Sequence, residues 1–243
     1  MADFQSISAN ISRLQVHWGW GPVKVPVAVW MVREGDAIVL IDSGPPGAAD
    51  EVVAAVARAT EGRGPQQILL THAHPDHAGG LEALRAAWNP AILCHREEVP
   101  FVTGERKYRE LPARSAAFWL GRYFLGAADL ELPVARDLER GESVVGMVVI
   151  HLPGHSPGQV GFLHPHDGTM ICGDAVRSIG GQLRPPSAWT SSDPAAAQAS
   201  MERLAELDYD HLLPSHGPPL LYDGRAALRE LVQKADDGGT ALI

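Results

Sequence analysis

The sequence predicts an α/β (α+β) fold in which two β-sheets pack face to face with helices outside, a four-layer αββα arrangement. Three observations predict it. Strand-like apolar runs come in two groups, each followed by amphipathic helical stretches. A charged segment at about 97–142 separates the groups. Clusters of histidine and aspartate fall on the turns that leave strand-like runs, where open α/β sheets place their sites.

The first group opens with Ser6 to Val16, which alternates in part through Ile7, Ala9, Ile11, Leu14 and Val16 and reads as a strand. His17 to Pro22 reads as a turn carrying Trp18 and Trp20. Val25 to Val32 and Ala37 to Ile41 read as two further strands, joined by a hairpin turn at Arg33-Glu34-Gly35-Asp36. Asp42-Ser43-Gly44 follows the third strand. Asp50 to Thr60 carries Val52, Val53, Val56 and Ala57 on one face and is predicted helical, stopped by Gly62-Arg63-Gly64-Pro65. Gln67-Ile68-Leu69-Leu70 is a short buried strand, Ala78 to Trp88 a helix, and Ala91 to Cys94 another strand.

Between them lies Thr71-His72-Ala73-His74-Pro75-Asp76-His77-Ala78-Gly79-Gly80. It holds three of the chain's 11 histidines, with a carboxylate between them. Read as an extended turn, it points His72 and His74 to one place and Asp76 and His77 to a neighbouring one. Imidazole nitrogens with carboxylate oxygens suit zinc, and also iron or manganese.

The segment 97–142 shows charge clusters, no strand pattern, and a helix from about Pro112 to Leu125. Phe118, Trp119, Leu120, Tyr123 and Phe124 cluster there, either as the buried face of an inserted helix or as a lid over an apolar pocket. The strand pattern resumes at Val144 to Leu152, Gln159 to Leu163 and Thr169 to Cys172. Asp193-Pro194 reads as an N-cap followed by proline at the first helical position, opening a helix to about Leu207. His211 to Pro214 is a last strand and Arg225 to Ala235 a closing helix.

Composition bounds the function. With 45% hydrophobic residues and 243 residues in all, the chain can bury a sizeable core, taken here as one domain over 1–243 with a helical insertion. A formal net charge of −9 disfavours nucleic acid as a partner. No apolar run reaches membrane-spanning length, and the N-terminus lacks a basic region followed by an apolar core. Cys94 and Cys172 are the only cysteines, as in a reduced cytoplasmic protein without a disulfide framework; Cys172 reads as a small buried strand residue.

Three later turns repeat the first device. His155 sits in Leu152-Pro153-Gly154-His155-Ser156-Pro157-Gly158, Asp174 ends Ile171-Cys172-Gly173-Asp174, and His216 lies in Leu213-Pro214-Ser215-His216-Gly217. Four such turns with seven ligand-type side chains are hard to explain as packing alone. The signature His72-x-His74-x-Asp76-His77, followed in order by His155, Asp174 and His216 and accompanied by Asp42-Ser43-Gly44, resembles the metallo-β-lactamase fold superfamily of metal-dependent hydrolases.

The resemblance implies the metallo-β-lactamase fold, with the site at one edge of the sandwich, and two divalent ions, zinc first, with manganese or iron as alternatives. It implies that His72, His74 and His155 bind one ion, Asp76, His77 and His216 the other, and that Asp174 bridges them. Asp76 would also orient the nucleophile, and Asp42 would steady a liganding histidine. Two ions about 3.5–4 Å apart lower the pKa of a shared water and polarise a carbonyl or phosphoryl oxygen. The expected activity is hydrolysis of a small ester, lactone or thioester by a metal-bridging hydroxide. Trp18, Trp20 and Arg177 are candidate substrate contacts.

Subfamily comparisons narrow this only a little. Glyoxalase II enzymes share the ligand set but carry a helical C-terminal domain, for which Gly217 to Ile243 is too short. N-acyl-homoserine lactonases place a tyrosine shortly after the bridging aspartate, where this chain has Ala175-Val176-Arg177-Ser178. Two other activities stay open: a mononuclear non-haem iron oxygenase acting on persulfides, with iron on His72, His155 and Asp174, and a β-lactam hydrolase.

Overall fold

A computed structural model describes residues 2–20, 23–111 and 130–236. The chain divides into two compact units, Met1–Tyr108 with Gly126–Leu138, and Arg109–Leu125 with Glu139–Ile243. The helix expected at 112–125, with its aromatic cluster, lies outside the described residues.

The first unit is built on a seven-stranded sheet whose spatial order follows the chain. Its strands are β1 (Gln5–Ser6), β2 (Ile11–Trp20), β3 (Val23–Glu34), β4 (Ala37–Ile41), β5 (Gln67–Leu69), β6 (Ala91–His95) and β7 (Arg136–Leu138). β1 to β4 form an antiparallel meander, and β4 to β7 are parallel. The parallel steps need crossovers. Helix α1 (Ala49–Ala59) supplies the first; α2 (Pro75–Ala78) and α3 (Leu81–Trp88) supply the second. α1 turns Val52, Ala55 and Val56 inward, the face its sequence periodicity marks as apolar. Ile38 to Ile41 and Ile68 to Leu70 are buried without alternation, as in parallel strands covered on both faces.

Three readings change here. β2 and β3 stay paired through Trp18↔Val25 to Trp20↔Val23, so both tryptophans lie on a strand and not on a turn. Tryptophan favours the pleated surface, which outweighs the turn signal of Gly19. Pro75 to Ala78 is a short helix of its own, with Pro75 in its first turn and His74 as N-cap, so Asp76 and His77 project from a helical turn and not from an extended one. The segment after β6 is not solely a helical insertion. It carries the short helix α4 (Val99–Val102) and then β7, which closes the sheet against β6. With only Leu138 buried among its three residues, β7 left no apolar run to read.

The second unit holds a five-stranded sheet in the order β14-β11-β10-β9-β8. These are β8 (Ser143–Val144), β9 (Met147–His151), β10 (Val160–His164), β11 (Thr169–Gly173) and β14 (His211–Pro214). A separate hairpin, β12 (Arg177–Ile179) with β13 (Gln182–Arg184), follows β11 and had no clear sequence signal. Helices α5 (Pro194–Glu206) and α6 (Gly224–Asp236) complete the unit. The Asp193 side chain caps α5 by accepting from the Ala196 amide at 3.1 Å, as the Asp-Pro pair predicts. Leu152, Met170, Cys172, Met201, Leu204, Leu212 and Leu228 form its core. Val149, Phe162, Ile171 and Leu213 on the strands are buried as well.

Cys94 and Cys172 are both free and buried. Burial pushes each thiol well above the ordinary range, with Glu98 and Asp137 adding to the effect at Cys94 and Asp174 at Cys172. No helix among the described residues is long and apolar enough to cross a membrane.

Two outcomes follow from this packing. Leu204→Ala should lower the unfolding free energy by about 2–5 kcal/mol, and the exposed Glu206→Ala by less than about 0.5 kcal/mol, read from denaturant midpoints. Neither thiol should react with a disulfide reagent at about pH 8, near the ordinary thiol pKa, until denaturant is added; rapid labelling of the folded protein would contradict the burial.

Candidate functional site

In the first unit the ligand-type residues sit at the C-terminal ends of adjacent parallel strands. Ile41 of β4 pairs beside Leu69 of β5, so Asp42 and Thr71 emerge next to each other. Asp42 is fully buried and adopts a positive φ of 63°, unusual for a residue other than glycine. That conformation turns its carboxylate across to the next strand end. Oδ1 accepts from the Thr71 amide at 2.8 Å, Oδ2 accepts from the Thr71 hydroxyl at 2.8 Å, and His77 Nδ1 lies 2.8 Å from Oδ2.

These bonds fix which nitrogen of each ring carries the proton. A carboxylate only accepts, so His77 donates through Nδ1 and its Nε2 keeps a lone pair. The single Thr71 hydroxyl proton goes to Asp42, so the oxygen accepts from His72 Nδ1, 3.0 Å away, and His72 Nε2 likewise keeps a lone pair. His72 Nε2 faces His74 Nδ1 at 3.1 Å, and His77 Nε2 lies 3.5 Å from Asp76 Oδ2. His72 and His77 are fully buried, and His74 and Asp76 nearly so. Ser43 holds the frame from the other side: its amide and hydroxyl both donate to the His77 carbonyl, at 2.7 and 2.8 Å.

The second unit repeats the device. β11 and β14 are parallel neighbours, with Gly173 beside Pro214, so Asp174 and His216 leave the sheet together. His216 Nε2 lies 3.1 Å from Asp174 Oδ2, and His155 Nε2 lies 3.4 Å from the same oxygen. His155 Nδ1 faces the Ser191 hydroxyl at 3.4 Å, and that hydroxyl donates to the Ser187 carbonyl at 2.7 Å. Ser191 can therefore only accept from the ring, which leaves the lone pair of His155 on Nε2, turned toward Asp174. Two glycines shape these turns. Gly154 has φ +132°, and a Cβ there would lie 2.1 Å from the Ala197 amide nitrogen of α5. Gly217 has φ +93°, and a Cβ there would lie 1.7 Å from the Ser178 carbonyl oxygen.

A lone pair aimed at a carboxylate oxygen in a buried site, as at His77 Nε2 toward Asp76 and His155 Nε2 toward Asp174, is repulsive unless a cation stands there. The donor set of each unit, imidazole nitrogens with carboxylate oxygens, fits a divalent metal ion.

Of the remaining sequence candidates, Arg177 lies on the β12–β13 hairpin, half-buried, with Nε donating to the Pro185 carbonyl at 2.9 Å. Burial lowers its pKa, and the Asp174 charge acts in the opposite direction. Trp18 is half-buried on β2. Sequence reasoning missed Thr71, Ser191, Glu98 and Tyr108. Thr71 stood inside the quoted stretch, but its hydroxyl gained meaning only beside Asp42, 29 residues away in the chain. Glu98 is fully buried, and its carboxylate accepts from the Ala73 amide at 3.0 Å and from the Tyr108 hydroxyl.

Residues 23–216 match the family model of the metallo-beta-lactamase superfamily. The chain is 29% identical to a probable metallo-hydrolase of Bacillus subtilis, YybB, over 83% of its own length and 86% of that protein. It is 27% identical to the hydroxyacylglutathione hydrolase of Aeromonas salmonicida over 76% of its own length, and spans 58% of that protein. Among solved structures, the di-iron-bound form of TTHA1623 is 31% identical, with a TM-score of 0.63 over 87% of this chain and 96% of that one. The mono-zinc form of the metallo-beta-lactamase FIM-1 from Pseudomonas aeruginosa shares the fold, with a TM-score of 0.72 at 19% identity over 98% of this chain and 96% of that one. With its family model running from the third strand to the turn at His216, the chain belongs to the metallo-beta-lactamase superfamily of metal-dependent hydrolases.

Proposed function

We propose that the protein is a two-metal hydrolase that cleaves a small ester, lactone or thioester. The observation that carries the reading is the pair of buried His/Asp clusters whose ring tautomers turn lone pairs toward other acceptors. In this proposal His72, His74 and His155 would hold one divalent ion, Asp76, His77 and His216 would hold the second, and Asp174 would serve both. The order of the seven residues along the chain supports this assignment. So does the facing of donor atoms within each unit. Zinc is the first choice of metal; the likeness to a di-iron protein makes iron the alternative. The hydroxyacylglutathione hydrolases among the relatives are in keeping with hydrolysis of an acyl compound.

When bound, the ions supply an activated water at neutral pH and polarise the acyl oxygen. The protein's own groups do the rest. Asp42 and Thr71 hold His72 and His77 in the tautomers that leave Nε2 available, so no proton has to be displaced from those nitrogens. Asp76 orients the attacking water and takes its proton on a carboxylate oxygen. Arg177, on the hairpin after Asp174, offers a cation to a carbonyl or carboxylate of the substrate, and Trp18 and Trp20 offer apolar contact. A reducing, cytoplasmic setting agrees with two free, buried thiols.

The test is metal content and turnover together. Protein purified without a histidine tag should carry two ions per chain and hydrolyse members of an ester, lactone and thioester panel. His74→Ala should cut both metal content and kcat/KM by orders of magnitude. Activity that survives complete removal of metal would defeat the proposal, and a single iron per chain with oxygen uptake on persulfides would replace it with the oxygenase.

Asp42→Asn tests the tautomer argument. The amide cannot accept from Thr71 and His77 as two charged oxygens do, and metal affinity should fall by about 10–100-fold. Competition against a chromogenic chelator measures this, and wild-type affinity in the variant would refute it.

A further inference from the structure

The amide between the first two liganding histidines is held by groups the family signature does not contain. Ala73 is buried, so its N–H needs an acceptor inside the protein. It donates to Glu98 Oε2 at 3.0 Å and also lies 3.1 Å from the Tyr108 hydroxyl. That hydroxyl donates in turn to the same Glu98 oxygen. A carboxylate with no solvent exposure is costly to bury unless its oxygens are bonded, and these two donors offset that cost.

Each partner is itself fixed. Glu98 is the N-cap residue of α4; its amide donates to the His95 carbonyl at 2.8 Å, and its carbonyl accepts from the Phe101 amide at 3.0 Å. The backbone that carries the carboxylate is thus tied to the end of β6. The Tyr108 ring stacks on Phe101, with centroids 4.1 Å apart and planes 8° from parallel. Its edge meets the His74 imidazole, with centroids 4.3 Å apart and planes at 67°. Tyr108 therefore touches the ligand turn twice, at the Ala73 amide and at the His74 ring.

We infer that Glu98 and Tyr108 form a clamp that positions the His72-Ala73-His74 turn for metal binding. This rests on the two-metal reading above. The turn leaves β5 and must present His72 Nε2 and His74 Nδ1 to one place. Asp42 and Thr71 orient the His72 ring, but no hydrogen bond from either reaches Ala73 or His74. Glu98 and Tyr108 do so from the other side. A charge-assisted bond to the central amide sets the backbone rotation that decides where both rings point. The aromatic edge narrows the angles open to His74. Glu98 also adds a negative charge behind a turn that would face two cations. Both are positioning residues, since neither is itself a proposed ligand.

The test uses Tyr108→Phe, which keeps the ring and its packing but removes the hydroxyl, and Glu98→Gln, which keeps the shape but removes the charge. Full-length metal-free protein is loaded with zinc against a competing chelator, and separately with cobalt(II) to record its visible d–d bands. Each variant should bind metal about 10–100-fold more weakly, the usual effect of losing a group that orients a ligand. The cobalt bands should shift or weaken, and the loss of affinity should exceed what any fall in the melting temperature of the metal-free protein accounts for. Wild-type affinity and spectrum in both variants would overturn the clamp. So would a fall in metal-free melting temperature that accounts for the whole loss of affinity, since the role would then be one of general stability. Wild-type protein that takes up no metal would overturn the two-metal reading and the clamp with it; two ions in wild type held equally tightly by both variants would overturn the clamp alone.

Discussion

The first unit depends on one buried carboxylate. Asp42 follows the last residue of β4, is excluded from water, and is held in a left-handed conformation. A non-glycine residue there costs of order 1–3 kcal/mol, and an ionised carboxylate in the interior costs more unless its oxygens are satisfied. The Thr71 amide, the Thr71 hydroxyl and the His77 ring satisfy them. The same bonds lock the end of β4 to the turn after β5 and decide the tautomers of two rings. The strain and the site share one origin: in that backbone conformation the carboxylate faces sideways along the row of strand ends.

The two units arrive at similar histidine- and aspartate-bearing turns by different routes. In the first, three parallel strand ends in a row supply Asp42, the His72 to His77 stretch and the short link to Glu98, and crossover helices hold them at the spacing of the sheet. In the second, only β11 and β14 are parallel, and that pair delivers Asp174 and His216. His155 comes from a turn after an antiparallel strand, so its position rests on Gly154 fitting against the start of α5 and on Ser191 behind the ring. Rigid strands set the first arrangement; a tight turn and a helix N-terminus set the second.

Much of this was legible in the sequence, for physical reasons that differ by element. The long strands and the amphipathic helices α1, α5 and α6 were readable because their burial imposes a period on the residues. The turns that carry histidine and aspartate stood out because these residues rarely gather beside apolar strands without a task. The chain hid what lacks a period. β7 and the β12–β13 hairpin are three-residue strands, too short to show alternation. Trp18 and Trp20 looked like turn residues beside Gly19 and Gly21, yet cross-strand pairing with β3 carries the strand through them. The stretch read as an extended turn is helical from Pro75, where the proline sits in the first turn. Thr71, Ser191, Glu98 and Tyr108 gain their roles only from partners brought close by folding.

The hydrogen bonds behind the ligands also bear on how metal uptake relates to folding. In a small metal-stabilised domain the ligands gather only when the ion arrives, so binding energy is folding energy. Here the frame has its own support. Ile38 to Ile41 and Ile68 to Leu70 bury the strands that carry Asp42 and Thr71, and Leu152, Met170, Met201 and Leu204 do the same behind His155 and Asp174. Neutral partners, Thr71 and Ser191, hold ring nitrogens on the side away from the proposed ions, so the rings are oriented by bonds that need no metal. The arrangement that remains costly without a cation is local: the His155 lone pair toward Asp174 and the His77 lone pair toward Asp76. The apolar cores supply the fold and the polar shell supplies the orientation, so the attraction for a bound ion would be available for binding rather than being consumed in ordering the chain.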